Sequence, residues 1–141
     1  MRSERYLIDS NILYFRATDK KQLTAEVKYI LEDTGNRIYV PSKCVEELVY
    51  LRQSGKLGVN VWKSAEDIVG YIKDEMSYGI KYVAEEHLLK LAQLPLFPEH
   101  KDPTDRIIIA QAITEKIPII SSDRQFLEYR KAGLELVYNK R

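Results

Sequence analysis

The sequence predicts an α/β fold, a three-layer α/β/α sandwich around a mostly parallel sheet of about five strands. Two observations predict it. Short apolar runs alternate with longer segments of helical periodicity along the whole chain. The chain has 141 residues, which is enough for one domain with a sizeable core and too few for two. We therefore expect a single domain over residues 1–141, with helices covering both faces of the sheet.

The first half of the chain begins with a short apolar run that ends at Asp9. The next segment has its apolar residues on one helical face and is terminated by Gly35 and Asn36. Apolar residues at helical spacing recur later in this half, until Gly79. The predicted strands are 6–8 and 37–40, and the predicted helices are 20–33, 42–53 and 59–78.

The second half continues the alternation and contains one ambiguous segment. Three adjacent isoleucines at 107–109 would suit a strand. The Asp-Pro start of that segment and its Ala-Gln-Ala continuation favour a helix instead. The predicted strands are 80–83, 117–121 and 134–137, and the predicted helices are 84–93, 103–116 and 125–131.

Composition and charge exclude several classes of protein. A net charge of +1 means that nucleic-acid binding must depend on a local patch. The single cysteine, Cys44, excludes an internal disulfide and a multi-thiolate zinc site, and two histidines are too few for a histidine-rich site. No apolar run approaches the ~20 residues of a membrane span, and the first residues lack the apolar core of a secretory signal. We expect a cytoplasmic protein with no membrane segment.

Acidic residues from separate parts of the chain are predicted to meet at one edge of the sheet. In open parallel sheets, binding sites form outside the carboxyl ends of the strands. Each acid there also has a local explanation, as a helix cap or a solvated surface charge. The acids that follow a strand or open a helix at that edge are Asp9, Glu46, Glu47, Asp102, Asp105 and Asp123.

The mutual repulsion of carboxylates that lie close together must be offset. Two of them about 4 Å apart repel by about 4 kcal/mol at an effective dielectric constant of about 20. A cluster is therefore costly without a bound cation or a shared proton. Ligands that are all oxygen favour a hard ion, so the expected cofactor is Mg²⁺ or Mn²⁺.

Four segments, in chain order, resemble the motifs of a known family. They are LIDSN, VEELVYLRQSGKL, HKDPTDRIIIAQA and SSDRQF, and the match runs from about Tyr6 over essentially the whole chain. The chain resembles PIN-domain nucleases, and in particular the VapC-type toxins of bacterial toxin–antitoxin pairs. The resemblance implies a carboxylate cluster that binds Mg²⁺ or Mn²⁺ and endonucleolytic cleavage of RNA. It also implies a homodimer, and a cognate antitoxin protein whose tail occupies the active groove.

The resemblance assigns site residues motif by motif. It implies that Asp9 and Asp105 bind the metal directly, while the other two acids bind a second ion or its water. The spacing to Gly55 selects Glu47, and Glu46 remains the alternative, in the place of the family's usual tryptophan. The four matching acids are Asp9, Glu47, Asp105 and Asp123.

Other side chains are expected to support these acids. Asp102 is expected to cap the helix that begins at Pro103, where the positive helix end favours an acid by a few tenths to about 1 kcal/mol. The residues expected to orient the acids are Ser10, Asn11 and Ser122. The candidates for phosphate contact are Arg52, Lys56, Arg106 and Arg124.

Two other enzyme classes fit the sequence poorly, and one alternative stays open. A haloacid-dehalogenase-type phosphatase requires a second aspartate two residues after the first, and that position is Asn11. The stretch Ser121, Ser122 and Asp123 does not supply the lysine of a response-regulator receiver, and no GxGxxG follows the first strand. The open alternative is a non-catalytic PIN-like scaffold that binds RNA or a protein partner. Four intact acids argue against it, since they would repel phosphate.

Overall fold

The computed structural model describes residues 4–58, 61–100 and 102–141. Their strands are β1 (Arg5–Ile8), β2 (Arg37–Pro41), β3 (Gly79–Lys81), β4 (Ile119–Ser121) and β5 (Leu136–Tyr138). They form one sheet in the order β3-β2-β1-β4-β5, and every neighbouring pair is parallel. The predicted parallel sheet is confirmed.

Helices connect these strands and complete the three-layer sandwich. In the described residues the α-helices are α1 (Ser10–Thr18), α2 (Ala25–Glu32), α3 (Ser42–Gln53), α4 (Ala65–Gly70), α5 (Glu85–Gln93) and α6 (Pro103–Glu115). A π-helical segment, Tyr71–Glu75, extends α4, and the 3-10 segments are Lys20–Gln22 and Arg124–Ala132. None of the helices in these residues is long and apolar enough to cross a membrane.

The core is built around the two central strands. β1 lies between β2 and β4, and Leu7, Ile8, Ile119 and Ile120 have no exposed surface. Parallel strands that are buried on both faces appear in a sequence as unbroken apolar runs. The helix α6 contributes a buried stretch that includes Ile109 to the same core, which explains why three adjacent isoleucines occur in a helix.

The predicted helix 20–33 is interrupted: it begins as the 3-10 segment Lys20–Gln22, Leu23 is extended, and α2 starts only at Ala25.

Two further helical predictions need correction. The sequence interpretation placed no helix directly after Asp9, but α1 begins there and the Asp9 side chain caps it. The predicted helix 59–78 is shorter, from Ala65 to the end of the π-helical segment; residues 59 and 60 lie outside the described part. Trp62 has a φ of 36°, in the left-handed region, so a helix cannot run through it. Its ring is buried and packs against Tyr14 and Tyr71.

Candidate functional site

Four carboxylates lie at the edge of the sheet where its parallel strands end, here called the carboxyl edge. Asp9 directly follows β1, and Asp123 follows β4 after one intervening residue. The helix α3 starts immediately after β2 and carries Glu47, and α6 carries Asp105 in its first turn. The structure therefore brings to one edge all four acids that the sequence selected.

Asp9 is buried, with 7% of its surface exposed. One carboxylate oxygen accepts a hydrogen bond from the backbone N–H of Ile12 at 3.1 Å, and the other accepts from the Ser121 hydroxyl at 2.5 Å. Burial raises the pKa of Asp9 to about 7; the charges of Asp105 and Asp123 add to the rise, and the two hydrogen bonds oppose it. Without a cation, Asp9 is therefore partly protonated at neutral pH.

The structure separates the two adjacent glutamates of α3. Glu47 is partly buried and accepts a hydrogen bond from the hydroxyl of Ser10, the residue next to Asp9. Glu46 points to solvent and pairs with Lys43, with 3.2 Å between Nζ and Oε1. These contacts favour Glu47 over Glu46 as the second acid of the site.

The two aspartates at the start of α6 have different surroundings. Asp102 caps the helix, as expected, and accepts from the backbone N–H groups of Thr104 at 2.9 Å and of Asp105 at 3.3 Å. The carboxylate of Asp105 instead lies 3.1 Å from Nε2 of His100. The pKa of Asp105 is raised to about 6, mainly by burial; the charges of Asp102 and Asp123 contribute to the rise, and His100 opposes it.

At the end of β4 the serine that contacts the acids is Ser121, one residue before the expected Ser122. The hydroxyl of Ser121 donates to Asp9 and accepts from the backbone N–H of Asp123 at 3.0 Å. The hydroxyl of Ser122 accepts from Nδ2 of Asn139 at 2.7 Å. Successive side chains at a strand end point to opposite sides, and the sequence does not reveal which side faces the acids.

His100 is a site residue that the sequence interpretation missed. Ligand atoms of His100, Asp105 and Asp123 lie within 4.8 Å of one another. The carboxylate oxygens of Asp105 and Asp123 suit a hard divalent cation, and burial disfavours the ionised form of Asp105 in the absence of such an ion. The side chains therefore fit the predicted kind of metal ion. The signal available in the sequence was the position of His100 in HKDPTDR, just before α6.

Cys44 is a buried residue of α3 whose thiol feels the charges of the same acids. Burial raises the pKa of its thiol well above the ordinary value, and the charges of Asp9, Glu47 and Asp105 raise it further. The thiol has only 1% of its surface exposed. Three of the four acids are therefore close enough to the Cys44 thiol to raise its pKa.

The basic residues predicted to contact phosphate differ in their surroundings. The guanidinium of Arg106 donates to the carbonyl oxygen of Pro95 at 2.8 Å and to the hydroxyl of Tyr129 at 3.4 Å. These contacts give Arg106 a structural role at the segment before α6. Arg124 is exposed and directly follows Asp123. The other two candidates, at and beyond the last turn of α3, are Arg52 and Lys56.

The fold and the carboxyl edge define an α/β domain with a candidate site for a divalent cation. The chain belongs to the PIN-domain family, whose profile matches residues 6–132. A sequence search of curated proteins gives no significant match.

Solved structures with a similar fold cover nearly the whole chain. VapBC2 from Rickettsia felis, bound to a DNA fragment from the promoter, has a TM-score of 0.70 and 13% identity over 96% of this chain and 99% of that chain. DNA-bound VapBC from Salmonella typhimurium has a TM-score of 0.67 and 14% identity, with coverages of 96% and 98%. FitAcB from Neisseria gonorrhoeae has a TM-score of 0.64 and 19% identity, with coverages of 95% and 96%. At such identities the likeness establishes a shared fold and nothing more.

Proposed function

We propose that the protein is a Mg²⁺- or Mn²⁺-dependent endoribonuclease that hydrolyses RNA phosphodiester bonds in the cytoplasm, as the toxin of a toxin–antitoxin pair. One observation carries the proposal: four carboxylates from four separate segments lie at the carboxyl edge of a PIN domain. Two of them, Asp9 and Asp105, have raised pKa values that a divalent cation would lower.

In this proposal the acids hold the metal and neighbouring groups orient them. Asp9 and Asp105 would bind the ion directly, and Glu47 and Asp123 would bind a second ion or its water. A bound Mg²⁺ or Mn²⁺ would supply an activated water and stabilise negative charge on the phosphate. The hydroxyl of Ser121 holds one oxygen of Asp9.

Two side chains at the start of α1 complete the arrangement. The Ser10 hydroxyl orients Glu47 by donating to its carboxylate. Asn11 is exposed in the first turn of α1, next to the acids, and is available to a water or to the RNA.

The proposal is tested most directly with purified protein that is free of any antitoxin. RNA should be cleaved when Mn²⁺ or Mg²⁺ is added, and cleavage should stop with excess chelator. Tight RNA binding without cleavage under any of these conditions would replace the nuclease with the non-catalytic scaffold.

Arg124 should contribute to RNA binding through its charge. Arg124→Gln is expected to weaken binding and to reduce the slope of log affinity against log salt by about one, because one phosphate contact is lost. Lys116→Gln, at the opposite end of α6 from Asp105, is the matched control and should leave both unchanged. An unaltered salt dependence in Arg124→Gln would remove this arginine from the RNA-binding surface. Both quantities come from fluorescence anisotropy titrations with labelled RNA.

We propose two protein partners: a cognate antitoxin, which the likeness to VapBC structures supports, and a second copy of the chain, which the resemblance of the sequence motifs implies. A partner could cover an exposed apolar side chain of α3, since Tyr50 is 61% exposed. Tyr50 and Val49 line a groove of about 540 Å³ together with Tyr82. We expect light scattering at micromolar concentration to give twice the mass of the 16.5 kDa chain. A monomer would contradict the dimer and leave the nuclease proposal standing.

A further inference from the structure

A chain of hydrogen bonds leads from Arg106 through two buried rings to Asp105. Nη1 of Arg106 lies 3.4 Å from the hydroxyl of Tyr129, and that hydroxyl lies 2.8 Å from Nδ1 of His100. Nε2 of His100 lies 3.1 Å from Oδ2 of Asp105. Tyr129 has no exposed surface and His100 has 3%. Neither ring has a role in the proposed nuclease mechanism.

The partners determine the direction of each hydrogen bond. An ionised carboxylate only accepts, so Nε2 of His100 carries the hydrogen that it donates to Asp105. In the neutral imidazole Nδ1 is then the acceptor, and the Tyr129 hydroxyl donates to it. A guanidinium only donates, so Arg106 contacts the oxygen of the same hydroxyl as a donor. The directions of these hydrogen bonds are therefore mutually consistent, and they require the tautomer of His100 that carries its hydrogen on Nε2.

Packing holds the imidazole in place. The His100 ring makes edge contacts with the rings of Phe126, at 6.2 Å between centroids, and of Tyr129, at 5.3 Å. The backbone N–H of His100 donates to the carbonyl oxygen of Phe97 at 3.1 Å, and the Phe97 ring packs on Tyr129 at 4.9 Å. The imidazole is therefore held by its neighbours as well as by its two hydrogen bonds.

We propose that His100 is a positioning residue for Asp105. Its Nε2–H holds Oδ2 of the carboxylate and leaves Oδ1 for a divalent cation, while Tyr129 keeps the imidazole in the required tautomer. This inference rests on the proposed function, because it takes Asp105 to be a metal ligand. Hydrogen-bond partners that orient a metal ligand typically contribute about 10- to 100-fold to metal affinity.

Direct metal binding by His100 is the competing role. Its nitrogen lies close enough to the ligand atoms of Asp105 and Asp123 to share an ion with them. In the structure, however, both ring nitrogens are already engaged, one with Asp105 and the other with Tyr129. Ligation through Nε2 would require the loss of its hydrogen and of the contact with Asp105.

The first experiment measures Mn²⁺ affinity by calorimetry on metal-free protein. His100→Ala should weaken binding by about 10- to 100-fold, and Tyr129→Phe by about 3- to 10-fold, since it removes only the hydroxyl. His100→Gln, which retains an N–H donor, should recover most of the affinity. Tyr78→Phe removes the hydroxyl of a buried tyrosine just before β3, at the opposite edge of the sheet, and is the control.

A double-mutant cycle then separates positioning from ligation. If His100 acts through Asp105, His100→Ala and Tyr129→Phe should not change Mn²⁺ affinity further in an Asp105→Asn background. A further loss there would make His100 a ligand and overturn the inference. Unchanged affinity in His100→Gln, His100→Ala and Tyr129→Phe, with only a lower melting temperature, would also overturn it. If the wild type bound no Mn²⁺, the metal site itself would be wrong, and this inference with it.

Discussion

Asp9→Asn, Asp105→Asn and Asp123→Asn should each reduce RNA cleavage by at least about 100-fold, while RNA binding stays equal or becomes stronger. Metal-assisted hydrolysis draws several kcal/mol of transition-state stabilisation from the ion, and about 3 kcal/mol corresponds to a factor on the order of 100. Removing a negative charge beside a phosphate lowers repulsion, which is why binding should not fall. Cleavage of labelled RNA and anisotropy titrations measure the two effects separately.

The adjacent glutamates of α3 provide a matched pair for this experiment. Glu47→Gln should behave like the aspartate variants, because Glu47 contacts Ser10 beside Asp9. Glu46→Gln should cleave RNA normally, because Glu46 is on the exposed side of the helix with Lys43. Full loss in Glu46→Gln and none in Glu47→Gln would show that the second acid has been misassigned.

Combining substitutions tests whether the acids act as one unit. Once the metal is lost, a second acid has little left to contribute, so a double variant should be only slightly worse than the worse single one. Residual cleavage near the wild-type level in all four single variants would contradict the nuclease site.

Stability of the metal-free protein should decrease as the pH rises from about 4 to about 7. The pKa of Asp9 is raised from 3.8 to about 7, so in this window the folded chain binds a proton that the unfolded chain has lost. The stability that this proton provides is fully present below 3.8, the pKa of Asp9 in the unfolded chain. It is lost as the pH rises through about 7, the pKa of Asp9 in the folded chain. Because Asp9 is buried, ionising it in the folded chain lowers the free energy of unfolding above pH 7 by an amount on the order of 4 kcal/mol, before any relaxation of the site.

Two changes should remove this cost. Asp9→Asn keeps the cap of α1 and removes the charge, so its melting temperature should exceed that of the wild type at pH 8 by several degrees and match it at pH 4. Millimolar Mn²⁺ should stabilise the wild type at pH 8, and Asp105→Asn should weaken that response. Differential scanning fluorimetry of chelator-treated protein measures both. A melting temperature independent of pH and Mn²⁺ would mean that the pKa of Asp9 is not raised in the folded chain and that the acids bind no cation.

The strands and most helices were predictable from local patterns, and the exceptions have physical causes. Central strands buried on both faces give unbroken apolar runs, as in residues 6–8 and 119–120. The helix α1 gave no helical periodicity in the sequence. Its apolar residues 12–15 are contiguous, and β-branched and aromatic residues favour strands. The sequence offers Asp9 as a strand-end acid and as a cap, but it does not show that a helix follows the cap.

For the candidate site, residue types were readable and contacts between distant residues were not. The positions of Asp9, Glu47, Asp105 and Asp123 follow from strand ends and helix starts. The role of His100 depends on Tyr129, which is 29 residues away in the sequence, and nothing local indicates that contact. Tertiary packing therefore decides which hydroxyl or imidazole meets each acid.

The position of β1 at the centre of the sheet has a consequence for biosynthesis. Asp9 is made early, yet its hydrogen-bond donor Ser121 is 112 residues later. At translation rates of about 5 to 20 residues per second, about 6 to 22 s separate the two. A nascent chain that has reached only α5 contains neither Asp105 nor Asp123. A ribosome translating this message therefore carries a chain without the complete acid cluster until late in elongation, and on the proposed function that nascent chain cannot yet cleave RNA.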